Sequence, residues 1–287
     1  MLAPRTRIAV VSPSGVFTPT RLNAGMALLQ EWGFEPELLP VSRAVVEGAS
    51  HRYLAGHDAA RLAELQQAFS GDYGAVWMAR GGYGLARLLP ALDFRRMAKV
   101  PFFGFSDGTV VLNALARRGF PAVHGPVLQT LADHLDDSSR CALQSFLSGK
   151  KVPLEGEFWV EGEAEGPVVG GNLCVLASLC GTEGQVNAYD ALLLLEELNE
   201  APYKVDRMLT QLTQAGVFEG LRGILLGEFL NCQAPAGADY TVEDVLREHL
   251  EPLGVPILAG LPVGHGGRNW PLKLGAARLW EGGVVEV

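Results

Sequence analysis

Four stretches of this chain carry residue types that could do nucleophilic chemistry. The first is Gly104-Phe105-Ser106-Asp107-Gly108, which follows an apolar run and precedes a segment with helical spacing. A serine on a tight strand-to-helix turn exposes its hydroxyl, and flanking glycines let the chain turn and a substrate approach. The helix that follows offers N–H groups suited to an oxyanion. A plainer reading is that Ser106 and Asp107 only cap that helix. The second stretch is Arg80-Gly81-Gly82-Tyr83-Gly84, again after an apolar run. A double glycine there can aim N–H groups at an anion or a carbonyl oxygen, and Arg80 suits a bidentate grip on a carboxylate. An ordinary flexible turn would look the same. In the third, Leu192-Leu193-Leu194-Leu195 runs into Glu196-Glu197. Two carboxylates ending a buried strand are costly unless paired, and one could orient an imidazole; a solvated surface pair is the alternative. The fourth is Gly264-His265-Gly266-Gly267, a histidine ringed by glycines and unlike a packed core histidine. Of the remaining histidines, only His124 has a comparable strand-end setting. Ser106, Glu196 and His265 together supply a nucleophile, an acid and a base from three strand ends, the makings of a serine-hydrolase triad.

Such residues need a scaffold that gathers strand ends. Ile8 to Val11 reads as a buried strand broken by Ser12-Pro13-Ser14-Gly15, and Thr20 to Trp32 has helical spacing through Leu22, Met26 and Leu29. Glu37 to Val41 reads as a strand, and Asp58 to Phe69 as a helix with Leu62, Leu65 and Phe69 inward. Ala75 to Met78 and Pro101 to Phe105 are further apolar strands, and Thr109 to Arg117 a helix. This βαβα rhythm implies a parallel sheet of flavodoxin or Rossmann type, whose functional groups collect at the carboxyl edge. The fold class expected is therefore α/β, with an N-terminal parallel-sheet domain over residues 1–147. A Gly- and Glu-rich linker with short strands follows over 148–167. A smaller, β-richer α/β domain over 168–287 would hold strands at Leu192–Leu195, Gly223–Gly227 and Val284–Val287 and a helix at Tyr203–Ala215.

Composition narrows the classes. The 287 residues suffice for two domains, and 48% hydrophobic with 19% charged residues is a globular balance. A formal net charge of −9 argues against nucleic acid as a partner. No apolar run is long enough for a membrane span or a signal peptide, so the expected location is cytoplasmic, away from membranes. The four cysteines include no C-x-x-C pair, which points to free, mostly buried thiols. No two histidines have ligand spacing and no H-E-x-x-H occurs, so no metal is expected. The missing G-x-G-x-x-G and P-loop patterns argue against a nucleotide; no cofactor is expected.

Along almost its whole length the chain resembles the LD-carboxypeptidase family of serine peptidases, which also includes microcin C-type self-immunity hydrolases. The resemblance is carried, in order, by Ser12-Pro13-Ser14-Gly15, Arg80-Gly81-Gly82-Tyr83-Gly84, Gly104-Phe105-Ser106-Asp107, His124-Gly125-Pro126 and Gly170-Gly171-Asn172-Leu173. Leu195-Glu196-Glu197, Tyr203 to Leu209, Gly264-His265-Gly266 and Asn269 complete it. It implies a triad split between domains, Ser106 on the first and Glu196 and His265 on the second. The family usually has Glu-Asp where this chain has Glu196-Glu197, which leaves open which carboxylate faces His265. Gly108 stands where a branched residue is more usual. The implied reaction releases terminal D-alanine from cytoplasmic murein tetrapeptides, in peptidoglycan recycling, by a homodimer. Gly82 and Asp107 would supply the oxyanion hole, and Arg80, Gly81, Tyr83 and Asn172 would meet the substrate. Arg80 is the first candidate for its carboxylate, ahead of Arg207 and Lys273. Rival readings are an immunity-type hydrolase of aminoacyl-sulfamoyl-adenylates and an α/β-hydrolase esterase, the latter lacking its H-G-G-G segment. A non-catalytic binding protein is the rival of another class.

Overall fold

Ile8, Ala9, Val10 and Val11 are all fully buried, alternating between two apolar clusters. A strand with both faces covered belongs in the middle of a sheet. The computed structural model, which describes residues 2–280 and 284–286, places it there. In chain order the first half runs β1 (Arg7–Val11), α1 (Pro19–Glu31), β2 (Glu35–Leu38), α2 (Pro40–Val46), α3 (Asp58–Ala68), β3 (Ala75–Met78), β4 (Phe102–Gly104), α4 (Thr109–Ala116), β5 (Ala122–His124) and α5 (Asp137–Leu147). The strands stand in the order β2-β1-β3-β4-β5, all parallel. This is the flavodoxin-like doubly wound order.

One expected strand is partly a helix. The extended segment stops at Leu38, and Pro40 opens α2 where a strand over Glu37–Val41 was expected. Proline suits a first helical position because its missing N–H would be unsatisfied there anyway. The buried Glu64 carboxylate then takes the N–H groups of Val41 at 2.5 Å and Ser42 at 3.1 Å. That carboxylate comes from α3, whose buried face is Arg61, Glu64, Leu65 and Ala68, while Leu62 is only half-buried.

The second half continues with β6 (Leu154–Glu155), β7 (Glu157–Val160), β8 (Ala164–Asn172), α6 (Leu173–Ser178), β9 (Leu192–Leu198), α7 (Pro202–Gln214), β10 (Gly223–Leu230), α8 (Val242–Leu250), β11 (Ile257–Ala259), β12 (Leu272–Leu274), β13 (Ala276–Trp280) and β14 (Val284–Glu286). Its sheet has the order β6-β14-β13-β8-β9-β10-β11-β7, with β8 to β11 parallel and the outer strands antiparallel. Segment 148–167 thus pairs into this sheet through β6, β7 and the start of β8. The last expected strand ends within the described residues at Glu286; Val287 lies outside them. Leu193 and Leu195 pack with Val205, Met208, Leu209 and Leu212 of α7 on one face, and Leu192 and Leu194 pack on the other. All four cysteines are free, but only Cys232 is buried; Cys141 and Cys174 are exposed on their helices, a correction to the expected burial.

Several contacts bind the halves together, among them a strand pairing and a side-chain bridge. Strand β12 leaves the second half and pairs antiparallel with β5, Leu272 opposite His124. Asn113 of α4 exchanges hydrogen bonds with Gly170 of β8, at 2.9 and 2.8 Å. Beside it Gly171 has φ +134°, and a Cβ there would lie 2.6 Å from Thr109 Oγ1, so only glycine lets the halves approach this closely.

Candidate active site

Ser106 leaves β4 in the left-handed region, with φ 60°, ahead of α4. A non-glycine residue is held there only when its surroundings over-determine it. Here the restraint is a set of bonds among the loops after β1, β3 and β4. Buried Asp107 accepts from Ser14 Oγ at 2.5 Å and from the N–H of Leu85 at 2.9 Å. Burial pushes its pKa up, and those bonds pull against the rise. Gly15 donates to the carbonyl of Gly81 at 3.1 Å. Arg61, with no exposed side chain, donates to the carbonyls of Pro13, Gly56 and Gly84 and pairs with Asp58. A Cβ at Gly81 would stand 2.9 Å from Ser106 Cβ and 3.0 Å from its Oγ, so the double-glycine turn is seated directly on the serine. Among the described residues, the N–H groups of Gly82 and Asp107 have no protein acceptor, as an oxyanion hole requires.

Glu196 lies inside its strand. Strand β9 continues to Leu198, so Glu196 and Glu197 project to opposite faces, 0% and 2% exposed. Both are interior groups, not the solvated surface pair of the plainer alternative, and the strand expected over Leu192–Leu195 runs on through them to Leu198. Glu196 Oε2 is 2.7 Å from His265 Nδ1. Glu197 instead takes Asn172 Nδ2 at 3.1 Å and the N–H groups of Cys174 at 2.7 Å and Leu198 at 2.8 Å. Glu196 is therefore the carboxylate facing the histidine. Burial disfavours a charged imidazole at His265. The Glu196 hydrogen bond and the charges of Glu196, Glu197 and Glu228 outweigh it and raise the pKa above the ordinary histidine value. The His265 ring also packs against Phe105, centroids 4.6 Å apart.

Ser106 and His265 line one cleft of about 330 Å3 with Arg80, Gly81, Gly82 and Phe105. Among the described residues Ser106 makes no hydrogen bond to the ring, so the two side chains share the cleft without a direct bond, an arrangement common before substrate tightens a site. Val127 and Leu198 also line the cleft, as do Arg21, Gln129, Thr130 and His134; none of these four stood out in the sequence, because each sits in a segment with no local signature. A more enclosed cavity of about 220 Å3 between α4 and β8, walled by Asn113, Arg117, Val168 and Tyr189, contains none of these groups.

Other expected contacts fall elsewhere. Asn172 is not in the cleft wall: its Oδ1 caps α6 through Val175 N at 3.1 Å and its Nδ2 serves Glu197. Tyr83 is turned out, 49% exposed, its ring 6.1 Å from that of Tyr53. Arg207 stands on the outer face of α7 over the Tyr203 ring, and Lys273 on the exposed side of β12; neither reaches the cleft. Arg80 does line it, with one guanidinium nitrogen bonded to the carbonyl of Val16. His124 is fully buried behind Phe105, neither ring nitrogen bonded among the described residues, and burial lowers its pKa to about 4.

Comparison with known proteins bears on the fold and the family. Residues 8–125 match the model of the LD-carboxypeptidase N-terminal domain, and residues 165–278 that of its C-terminal domain. A Synechocystis sp. protein named only as a carboxypeptidase is 38% identical over 98% of this chain and 93% of its own. The murein tetrapeptide carboxypeptidase of Pseudomonas aeruginosa is 34% identical over 96% of this chain and 93% of its own. The crystal structure of muramoyltetrapeptide carboxypeptidase from Oxalobacter formigenes superposes with a TM-score of 0.86 at 27% identity, covering 98% of this chain and 97% of that one. The microcin C7 self immunity protein MccF, in complex with aspartyl sulfamoyl adenosine, shares the fold at a TM-score of 0.87, 23% identity, and 100% and 96% coverage. Among the described residues no helix is long and apolar enough to cross a membrane.

Proposed function

The chain belongs to the LD-carboxypeptidase family, and on that premise we propose that it releases terminal D-alanine from murein tetrapeptides, with Ser106, His265 and Glu196 as its triad. The observation that carries the reading is that buried Glu196 holds His265, which lines the same cleft as a serine held at φ 60°. In this mechanism Ser106 Oγ attacks the carbonyl that precedes D-alanine while Nε2 of His265 takes its proton. Glu196 holds the ring through Nδ1 and stabilises the imidazolium. The N–H groups of Gly82 and Asp107 receive the oxyanion, a contact worth about 3–4 kcal/mol each in the transition state. His265 then protonates the departing amine as the C–N bond breaks. Water, deprotonated by the same ring, cleaves the acyl-serine and returns the proton to Ser106.

A substrate ending in a carboxylate needs a local cation despite the acidic chain, and Arg80 and Arg21 supply it in the cleft wall. Arg21 is otherwise paired with Asp133 at 2.9 Å. The phenylalanine of the wall, Phe105, is already packed on His265, so it is not a free platform for a nucleotide base; this favours a peptide over an aminoacyl nucleotide. The same reading puts the enzyme in the cytoplasm, as a homodimer, acting on cell-wall fragments being recycled.

The test is D-alanine release from L-Ala-γ-D-Glu-meso-diaminopimelate-D-Ala by wild type and by Ser106→Ala. Release lost in the variant supports both reaction and nucleophile. No release by folded wild type ends the carboxypeptidase reading, and equal release by both proteins ends the assignment of Ser106.

A further inference from the structure

The base lies on a segment, residues 264–269, with no regular secondary structure. A histidine on such a segment keeps a fixed distance from a serine on another sheet only if its backbone is tied down. One tie comes from its own half: Glu228 Oε2 of β10 accepts the N–H of Gly266 at 2.9 Å. The others come from the half that carries Ser106. His134 Nε2 lies 2.8 Å from the carbonyl oxygen of His265. A carbonyl only accepts, so Nε2 carries the proton and His134 donates. One residue pair further on, the carbonyl of Gly267 accepts from Asp136 N at 2.9 Å and from Ser139 Oγ at 3.1 Å. Ser139 Oγ in turn accepts from Asn269 N at 3.1 Å. The pinning segment is itself rigid, because Asp136 caps α5 through Ser139 N at 2.7 Å.

We propose that His134 is a positioning residue, whose bond to the His265 carbonyl sets the register of the base against the nucleophile across the junction of the two halves. The inference rests on the roles proposed for Ser106 and His265, and it extends to a residue outside the triad. His134 also lines the cleft, so a substrate-binding role must be separated from positioning. The two predict different kinetics. Misplacing a catalytic group by a fraction of an ångström lowers the rate of the chemical step, whereas a lost substrate contact raises KM.

The experiment compares His134→Ala and His134→Gln with wild type, each first checked by thermal melting. Two readouts are taken: kcat and KM for D-alanine release, and the rate at which a fluorophosphonate labels Ser106, which needs the base and no peptide substrate. Positioning predicts that kcat and labelling rate fall together by about 10- to 100-fold in His134→Ala, with KM within about twofold. Glutamine, which also presents an N–H donor, restores both to within about threefold. Unchanged kcat in His134→Ala overturns the proposal. So does a rise in KM alone, or a glutamine variant no better than alanine. If wild type is labelled but releases no D-alanine, the proposed reaction fails, and the labelling rates still decide the role of His134.

Discussion

His124→Gln tests the buried wall behind the triad. The His124 ring is fully buried, and burial depresses its pKa from 6.5 to about 4, with the nearby Glu196 charge offsetting only part of the effect. An unfolded chain keeps the ordinary value. Between the two values the unfolded state binds a proton that the folded state refuses, so stability falls as pH falls through 6.5. Evaluating the linkage with these two pKa values gives a loss of about 2 kcal/mol between about pH 7 and pH 5. Nearly all of it arises from protonation of the unfolded imidazole, since pH 5 is still above the folded pKa. Buried Glu64, Asp107 and Glu197 act in the opposite sense, because burial raises their carboxyl pKa values and they favour folding as pH falls. The glutamine variant keeps all three, so they cancel in the comparison. Urea unfolding followed by circular dichroism at both pH values gives the two slopes. Wild type should lose about 2 kcal/mol more than His124→Gln over the interval, whatever the variant's starting stability. Parallel slopes would refute a buried, neutral His124.

Two further outcomes follow from the site. Glu196→Gln should lower kcat by about 10³- to 10⁴-fold, and should move the acid limb of kcat/KM to lower pH. The reason is that Glu196 holds the His265 pKa up, and the base must be neutral to act; an unmoved limb would mean that another group titrates. Gly81→Ala places a Cβ against Ser106 in a backbone conformation that alanine tolerates, so kcat/KM should fall at least about tenfold in the folded variant. Full activity in that variant would show that the turn does not press on the serine.

The readable parts of the site were those whose signal is local. An apolar run broken by glycine marks where a strand delivers its side chains, and Ser106, Arg80 to Gly82 and His265 all lie on such punctuation. Glu196 was identified by its neighbours, but the end of its strand was misplaced: two buried carboxylates look like a boundary when their partners, His265 and Asn172, lie far along the chain. The same blindness hid Arg61 and Glu64. Charged residues on a helix read as its wet face, yet these two satisfy backbone groups of the loops and helix start beside them. The helix at Pro40 had a local signal, proline at the first position, that the apolar Leu38-Leu39 and Val41 obscured. His134, Glu228 and the pairing of β12 with β5 left no trace at all, because each is a long-range contact between residues ordinary in their own surroundings.

The crossing of β12 to β5 bears on how the protein is made. His124 and its partner Leu272 are 148 positions apart. At about 5–20 residues per second, translation needs roughly 7–30 s to cover that distance. Throughout that interval the outer edge of β5 is an open template for pairing with another nascent chain. When Leu272 emerges, the strand that closes this edge arrives directly behind the segment that bears His265. Sealing the sheet that carries Ser106 and delivering His265 are then one event, so a partly synthesised chain lacks the proposed triad.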